Sequence, residues 1–184
     1  YNQHHLTVSE RITLASQAIN AKSAPDLIMI YFEEPDHQGH DFGPQSPHTK
    51  DALRNMDAHL QDLWENIQQG PRKDSVNLIV VSDHGMTLVS PERKIECKKY
   101  LNPKWYERVE GNLPAQIYCK KGYVDSVYNA LKDLPHQRVW RKKDIPAYLH
   151  YGTHVNIGDI VVDPQEGWLV TDDKVKTGGM HGYD

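Results

Sequence analysis

The sequence predicts an α/β fold, a mainly parallel sheet with helices on both faces. An uninterrupted apolar run at residues 27–32, and a second stretch at residues 77–81 in which four apolar residues follow Asn77, are typical of strands buried inside a parallel sheet. Amphipathic helix patterns at residues 7–22 and 46–68 alternate with these runs. This order of helix and strand indicates helices that cover a sheet, and it makes the carboxyl ends of the strands the place to look for a site.

The first helix is predicted at residues 7–22. Thr7 and Glu10 have the spacing of a capping box, in which each side chain satisfies the other residue's backbone N–H. Apolar residues follow at helical spacing. The strand at residues 26–32 comes next and ends at Pro35.

The second helix is predicted to begin after Ser46, a good N-cap that is followed by Pro47 at the first helical position. The helix presents one apolar face: Leu53, Met56, Leu60, Leu63, Trp64 and Ile67. Gly70 ends it, and the second apolar strand follows at residues 77–81.

Shorter elements are predicted in the second half of the chain. Residues 88–114 are rich in Lys, Glu, Pro and Asn, so we expect mainly loop there, with a short helix near 95–101. Strands are predicted at 115–119, 139–140, 157–162 and 167–170, a helix at 123–133, and a turn or one-turn helix at 144–146.

Composition bounds the class of protein. The 184 residues can form one large domain or part of a larger one, and 38% hydrophobic with 25% charged residues is ordinary for a soluble globular protein. A net charge of -4 argues against a nucleic-acid surface, which is usually basic. No apolar run is long enough to predict a membrane span. The chain begins with Tyr1 and not with Met, which suggests a processed or truncated product.

Cys97 and Cys119 form no CxxC pattern, so the sequence contains no zinc knuckle or dithiol redox motif. Two interpretations stay open at this point. The two cysteines form one disulfide in an exported protein, or they are two buried thiols.

Five carboxylate and imidazole side chains cluster in three places along the sequence. Asp36 and His40 are four residues apart, so one turn of helix or a tight loop can aim both at one point. Asp83 and His84 follow the second apolar run directly, and His181 lies near the last residue. Each cluster stands beside a glycine. Because the first two clusters follow predicted strands, the sequence predicts a metal site at the carboxyl ends of the strands.

Three ordered motifs carry a resemblance to a known family. They are EEPDxxGHxxGP at residues 33–44, SDHGM at residues 82–86 and HGYD at residues 181–184. Together they resemble the nucleotide pyrophosphatase/phosphodiesterase family of the alkaline phosphatase superfamily. The resemblance extends over nearly the whole chain. It implies an alkaline-phosphatase-like fold, two zinc ions and the cleavage of phosphodiester or pyrophosphate bonds.

The resemblance also implies the metal ligands. Asp36, His40 and His181 would hold one zinc, and Asp83 with His84 would hold the other. Imidazole and carboxylate donors suit zinc, and a pair of such ions can clamp the attacking and leaving oxygens at phosphorus.

In the family, the nucleophilic threonine and a further aspartate lie upstream of the segment that matches Tyr1. No stretch of this sequence matches them, and Thr87 is in the wrong place to take the role of the nucleophile. We therefore expect residues 1–184 to be the C-terminal part of a phosphodiesterase catalytic domain, an incomplete piece of the fold that is inactive alone.

The resemblance favours nucleotides as substrates, because Tyr1 and Tyr31 match positions where nucleotide-cleaving members place aromatic rings against the base. An aromatic ring can stack on any nucleobase, because every base has a π-face. One alternative is a choline phosphodiester, since residues 47–53 look like the branch that cleaves lysophospholipids. The other is a non-catalytic binding relative, against which the intact set of five ligands argues. The family implies an extracellular or periplasmic location.

Overall fold

The structure is a computed structural model, and it describes residues 6–184. The chain divides into two compact units, one ending at Asp83 and the other beginning at His84. Each unit has its own hydrophobic core. No helix that the structure describes is long and apolar enough to cross a membrane.

The described part of the first unit, residues 6–83, contains three helices: α1 Val8–Asn20, α2 Asp36–Phe42 and α3 Pro47–Gln69. The two long helices were both predicted, and both predictions are confirmed. Their apolar faces meet in a small core whose buried members are Ile12, Ala15, Leu63 and Ile67.

The start of α1 has the predicted capping box. The Thr7 hydroxyl accepts a hydrogen bond from the backbone N–H of Glu10, and the Glu10 carboxylate accepts one from the backbone N–H of Thr7 at 2.8 Å. Two N–H groups that the helix itself leaves without partners are thereby satisfied. At α3, the Ser46 hydroxyl accepts from the backbone N–H of Thr49 at 3.1 Å.

The prediction of strands at residues 26–32 and 77–81 is wrong for this structure. Both segments are outside every β-ladder of residues 6–184, so neither is a strand in this structure. Exposure alternates in the first segment: Ile30 and Phe32 pack on the core of the first unit, whereas Leu27 and Met29 are 74% and 87% exposed. An apolar run reports which side chains can be buried. It does not supply the neighbouring strand that a ladder requires.

The second unit contains eight short strands and one α-helix. The strands are β1 Thr87–Val89, β2 Lys94–Ile95, β3 Tyr106–Glu110, β4 Ala115–Cys119, β5 Gln137–Arg141, β6 Ile160–Pro164, β7 Leu169–Val170 and β8 Gly178–Met180. The helix is α4 Val124–Leu131. Short 3-10 helices lie at Cys97–Tyr100, Lys142–Asp144 and Ala147–Leu149.

Four of these strands form an antiparallel sheet in the order β3-β4-β6-β5, against which α4 packs. The sheet and helix bury a continuous apolar core. Its members with no exposed surface are Ala115, Ile117, Val127, Leu131, Ile160 and Val162. The predictions of β4 and α4 are confirmed in position, and β6 overlaps its predicted range but begins three residues later; apolar patterns mark all three.

Residues 88–114 are more structured than predicted. The 3-10 helix Cys97–Tyr100 lies where a short helix was expected, but β2 and β3 were not predicted. Their sequences, KI and YERVE, are too short or too charged to give an apolar pattern. They become strands because β7 and β4 lie beside them.

The last strand, β8, pairs antiparallel with β1, with Thr87 opposite Met180. Its sequence, Gly-Gly-Met, has low strand propensity, and it was not predicted. This pairing brings the final motif of the chain beside the segment that follows Asp83.

Candidate metal centre

The first pair of predicted ligands meets on α2. Asp36 and His40 are one helical turn apart, and the Asp36 Oδ1 and His40 Nε2 atoms are 3.4 Å apart. Two ligand atoms on a tetrahedral zinc, each about 2.0 Å from the ion, are separated by about 3.3 Å. Both side chains are about one-third exposed, at 36% and 33%. The spacing and the accessibility fit two ligands of one ion.

The position of α2 is set by hydrogen bonds at both of its ends. The Glu34 carboxylate accepts from the backbone N–H and the side-chain amide of Gln38, at 3.3 and 3.2 Å. At the other end, the buried Thr49 hydroxyl donates to the carbonyl of Gly43 at 2.8 Å. Gly43 has φ +88°, a left-handed conformation that favours glycine. The short ligand helix is thereby tied to the start of α3.

Arg11 of α1 holds the extended segment that leads into α2. Its guanidinium donates to the Tyr31 carbonyl at 2.9 Å and to both carboxylate oxygens of Glu33, at 2.7 and 3.1 Å. Such a bidentate pair fixes direction as well as distance. Sequence reasoning missed Arg11, because nothing in a helix pattern indicates which distant carboxylate its side chain contacts. The Tyr31 ring itself is 61% exposed.

Two other predicted ligands, His84 and His181, lie in the second unit. The rings of His84 and His181 are stacked, with 3.5 Å between centroids and 9° between planes. His84 Nδ1 is 3.0 Å from the Gly85 carbonyl. Because a carbonyl oxygen only accepts, Nδ1 carries the proton in the neutral ring, and Nε2 is the basic nitrogen. This is the arrangement by which proteins orient histidine ligands of metals.

The two cysteines lie outside the predicted ligand set. Both are free thiols in the structure, so the predicted disulfide is absent; Cys97 is buried, whereas Cys119 is only half-buried. Burial is the main cause that raises the pKa of Cys97, and likewise of Cys119, to about 12, with nearby carboxylates adding to the effect. The thiolate, which is the form that binds metals, is therefore scarce at neutral pH.

The remaining predicted residues are distributed as follows. Asp83 is an exposed residue at the end of the first unit, and Thr87 begins β1. Tyr1 lies outside the residues that the structure describes. Thus each unit brings two of the predicted ligand residues into contact, Asp36 with His40 and His84 with His181.

Comparison with known proteins gives a consistent result. The type I phosphodiesterase / nucleotide pyrophosphatase family profile matches residues 2–184. Human ectonucleotide pyrophosphatase/phosphodiesterase family member 5 is 33% identical over 187 residues, covering 100% of this chain and 39% of the relative. Bos taurus bis(5'-adenosyl)-triphosphatase ENPP4 is 35% identical over 179 residues, covering 95% of this chain and 39% of the relative.

Solved structures agree. Murine ectonucleotide pyrophosphatase/phosphodiesterase 5 superposes with a TM-score of 0.88 at 35% identity, covering 100% of this chain and 50% of the murine chain. An inactive form of the same murine protein, in complex with AMP, gives a TM-score of 0.87. This likeness confirms the predicted α/β, alkaline-phosphatase-like fold. The chain spans about half the length of the solved murine protein and 39% of the length of the human and bovine relatives. By sequence and by structure, the chain belongs to the type I phosphodiesterase / nucleotide pyrophosphatase family.

Proposed function

We propose that residues 1–184 form the C-terminal part of the catalytic domain of a two-zinc hydrolase, which cleaves phosphodiester or pyrophosphate bonds of nucleotides. The observation that carries the proposal is the 3.4 Å separation of the Asp36 and His40 ligand atoms, the spacing expected of two ligands of one zinc. The family match over residues 2–184 supports the same reaction class.

The ligand assignment follows the family resemblance. Asp36, His40 and His181 hold one zinc, and Asp83 with His84 contributes to the other. The donor chemistry fits, since imidazole nitrogen and carboxylate oxygen are ordinary zinc ligands and the two thiols are protonated. When bound, a zinc pair neutralises the charge that develops on the phosphoryl oxygens.

The other roles belong to the chain's own side chains. The hydrogen bond from His84 Nδ1 to the Gly85 carbonyl directs Nε2 toward its ligand role. Arg11 and Glu33 hold the backbone that precedes α2, so that Asp36 and His40 keep their spacing during the reaction. The nucleophile is a threonine outside this chain, which forms the covalent intermediate in the proposed mechanism.

Nucleotides are the proposed substrates. A murine relative has been solved with AMP, and a bovine relative is named for hydrolysis of a bis(5'-adenosyl) compound. In this chain, the 61% exposed ring of Tyr31 is available to stack on a base, and Tyr1 is proposed as its counterpart. The proposed location is extracellular, by analogy with relatives whose names begin with "ecto" and with a venom phosphodiesterase.

A chimera tests the reaction. Residues 1–184 replace the matching half of murine family member 5, and zinc content is measured beside the rates on p-nitrophenyl thymidine monophosphate and p-nitrophenyl phosphorylcholine. We expect two zinc per chain and a clear preference for the nucleotide diester. A preference for the choline diester would instead indicate a phosphodiesterase that acts on choline phosphodiesters of the lysophospholipid type.

Asp36→Asn in the same chimera is the ligand test, and Asp26→Asn is the control, an exposed aspartate that is outside all three motifs. Asp36→Asn should lower the rate at least about 100-fold. Loss of a residue that only hydrogen-bonds to a metal ligand already lowers activity by about 10–100-fold, and loss of the ligand itself should cost more. A folded chimera without zinc would overturn the proposal in favour of a non-catalytic binding relative.

A further inference from the structure

The segment that carries His181 is held on both sides. On one side β8 pairs with β1, ending at Met180. On the other side, the Tyr183 hydroxyl donates to the Trp168 carbonyl at 3.0 Å, and Asp184 Oδ2 accepts from Arg138 Nη2 at 2.7 Å. His181 therefore lies between two fixed points.

Arg138 is itself fixed by a buried carboxylate. Arg138 on β5 lies opposite Asp163 on β6. Asp163 Oδ2 accepts from Arg138 Nε at 2.9 Å and also from Nη2. Asp163 is only 7% exposed, so separating the pair would leave a buried charge without its cation, which is strongly unfavourable. The guanidinium carbon also lies 5.3 Å from the centre of the Trp140 ring.

The three residues form a chain of contacts from the sheet to the last motif. The buried Asp163 holds Arg138, and Arg138 holds Asp184. A planar guanidinium can contact two carboxylates at once in fixed directions, whereas a lysine ammonium has no such fork. Gly182, between the fixed residues and His181, has φ +104°, so the backbone takes a turn there that side chains rarely allow.

We propose that Arg138 is a positioning residue: through Asp184 it fixes the segment that bears His181, and so keeps the His181 ring stacked on His84. The part of this inference that concerns zinc rests on the proposed function. The part that concerns the segment rests on contacts within the second unit alone. Arg138 touches neither imidazole in this role and acts only through Asp184.

The key variant is Asp184→Asn in the chimera described above, because residues 1–184 span only part of the catalytic domain. It keeps the shape of the side chain and leaves the Arg138–Asp163 pair intact, so the fold is preserved. Glu110→Gln is the matched control, because Glu110 also accepts from a strand arginine, Arg108, at 2.6 Å, far in sequence from the last motif. Arg138→Lys is the second test, with Arg108→Lys as its control.

Two readouts are measured: amide hydrogen exchange of residues 178–184, and the zinc dissociation constant from competition with a chromophoric chelator. For Asp184→Asn and Arg138→Lys we expect exchange in this segment to rise about tenfold, as for loss of one charge-assisted hydrogen bond. Zinc binding should weaken about 10-fold or more, as for loss of a group that orients a ligand. Both controls should match the unsubstituted chain.

The outcomes separate the two proposals. Exchange that stays at the unsubstituted rate in Asp184→Asn overturns the inference. Faster exchange with unchanged zinc affinity would show that Arg138 holds the segment but does not position His181 for zinc binding, which overturns that part of the inference. If the unsubstituted chimera binds no zinc, the proposed function fails, and the exchange measurement alone decides whether Arg138 holds the segment.

Discussion

The imidazole rings of His84 and His181 stack with 3.5 Å between their centroids, although the two residues come from opposite ends of the second unit. The antiparallel pairing of β1 with β8 accounts for the contact, since each histidine lies just outside its strand on the same side of the ladder. The contact places side by side two predicted ligands that the proposed assignment gives to different ions.

Replacing either ring should therefore weaken zinc binding strongly. For His84→Ala and for His181→Ala we expect the zinc dissociation constant to rise at least about 100-fold, a larger loss than removal of an orienting partner causes. His154→Ala is the control, an exposed histidine whose Nδ1 accepts from the Asn156 backbone at 3.2 Å. Equal affinity in all three variants would contradict the ligand assignment. Competition with a chromophoric chelator measures the effect.

The core of the second unit should be sensitive to loss of volume. Ile117 is fully buried between neighbouring strands, so Ile117→Ala should lower the free energy of unfolding by about 2–5 kcal/mol. Val155→Ala, at a side chain that is 81% exposed, should change it by less than about 0.5 kcal/mol. Urea denaturation followed by tryptophan fluorescence measures both. A small effect at Ile117 would show that the sheet is not the cooperative core.

The capping box of α1 gives a prediction for the first unit. Thr7→Ala removes the hydroxyl that accepts from the Glu10 backbone, and should cost about 1 kcal/mol. Thr13→Ala is a matched control, since Thr13 lies inside the same helix, where alanine is the better helix former. We expect opposite signs for the two changes in circular dichroism melts. Destabilisation of equal size would argue against a specific role of the cap.

The thiols should be unreactive in the folded chain. With a pKa of about 12, roughly one Cys97 thiol in 10⁴ is ionised at pH 8, so reaction with a disulfide reagent should be slow until the chain is unfolded. Cys97→Ser should leave a single slow thiol, Cys119. Rapid modification of the folded chain at pH 8 would contradict the burial of these groups.

The same shifts predict a loss of stability in alkali. The ordinary thiol pKa is 9.0, and the folded chain raises it to about 12 at both cysteines. The unfolded chain therefore releases these protons first, and stability that is present below pH 9 declines as the pH rises toward 12. In Cys97→Ala, the slope of unfolding free energy against pH should be smaller over this range. An unchanged slope would mean that Cys97 ionises equally in both states.

Local patterns predicted the elements whose cause is local. The capping residues of α1, the N-cap and proline of α3, and the apolar patterns of β4 and α4 are each encoded within a few residues. The same holds for Asp36 and His40, because one helical turn is enough to bring them together. These features were predictable because no distant partner is needed to create them.

What the patterns missed depends on distant partners. The apolar runs at residues 27–32 and 77–81 looked like strands, but a strand exists only where another backbone pairs with it. Conversely, the Gly-Gly-Met segment of β8 has weak strand propensity, yet it becomes a strand because β1 lies beside it.

The sequence by itself determined which residues are candidate ligands and the family to which the chain belongs, because motifs and helical periods are properties of neighbouring residues. Only the tertiary structure decided that His181 stacks on His84, and that Arg138 links the buried Asp163 to Asp184. These contacts join residues far apart in the chain, and they form only when packing of the core sets the register of the strands.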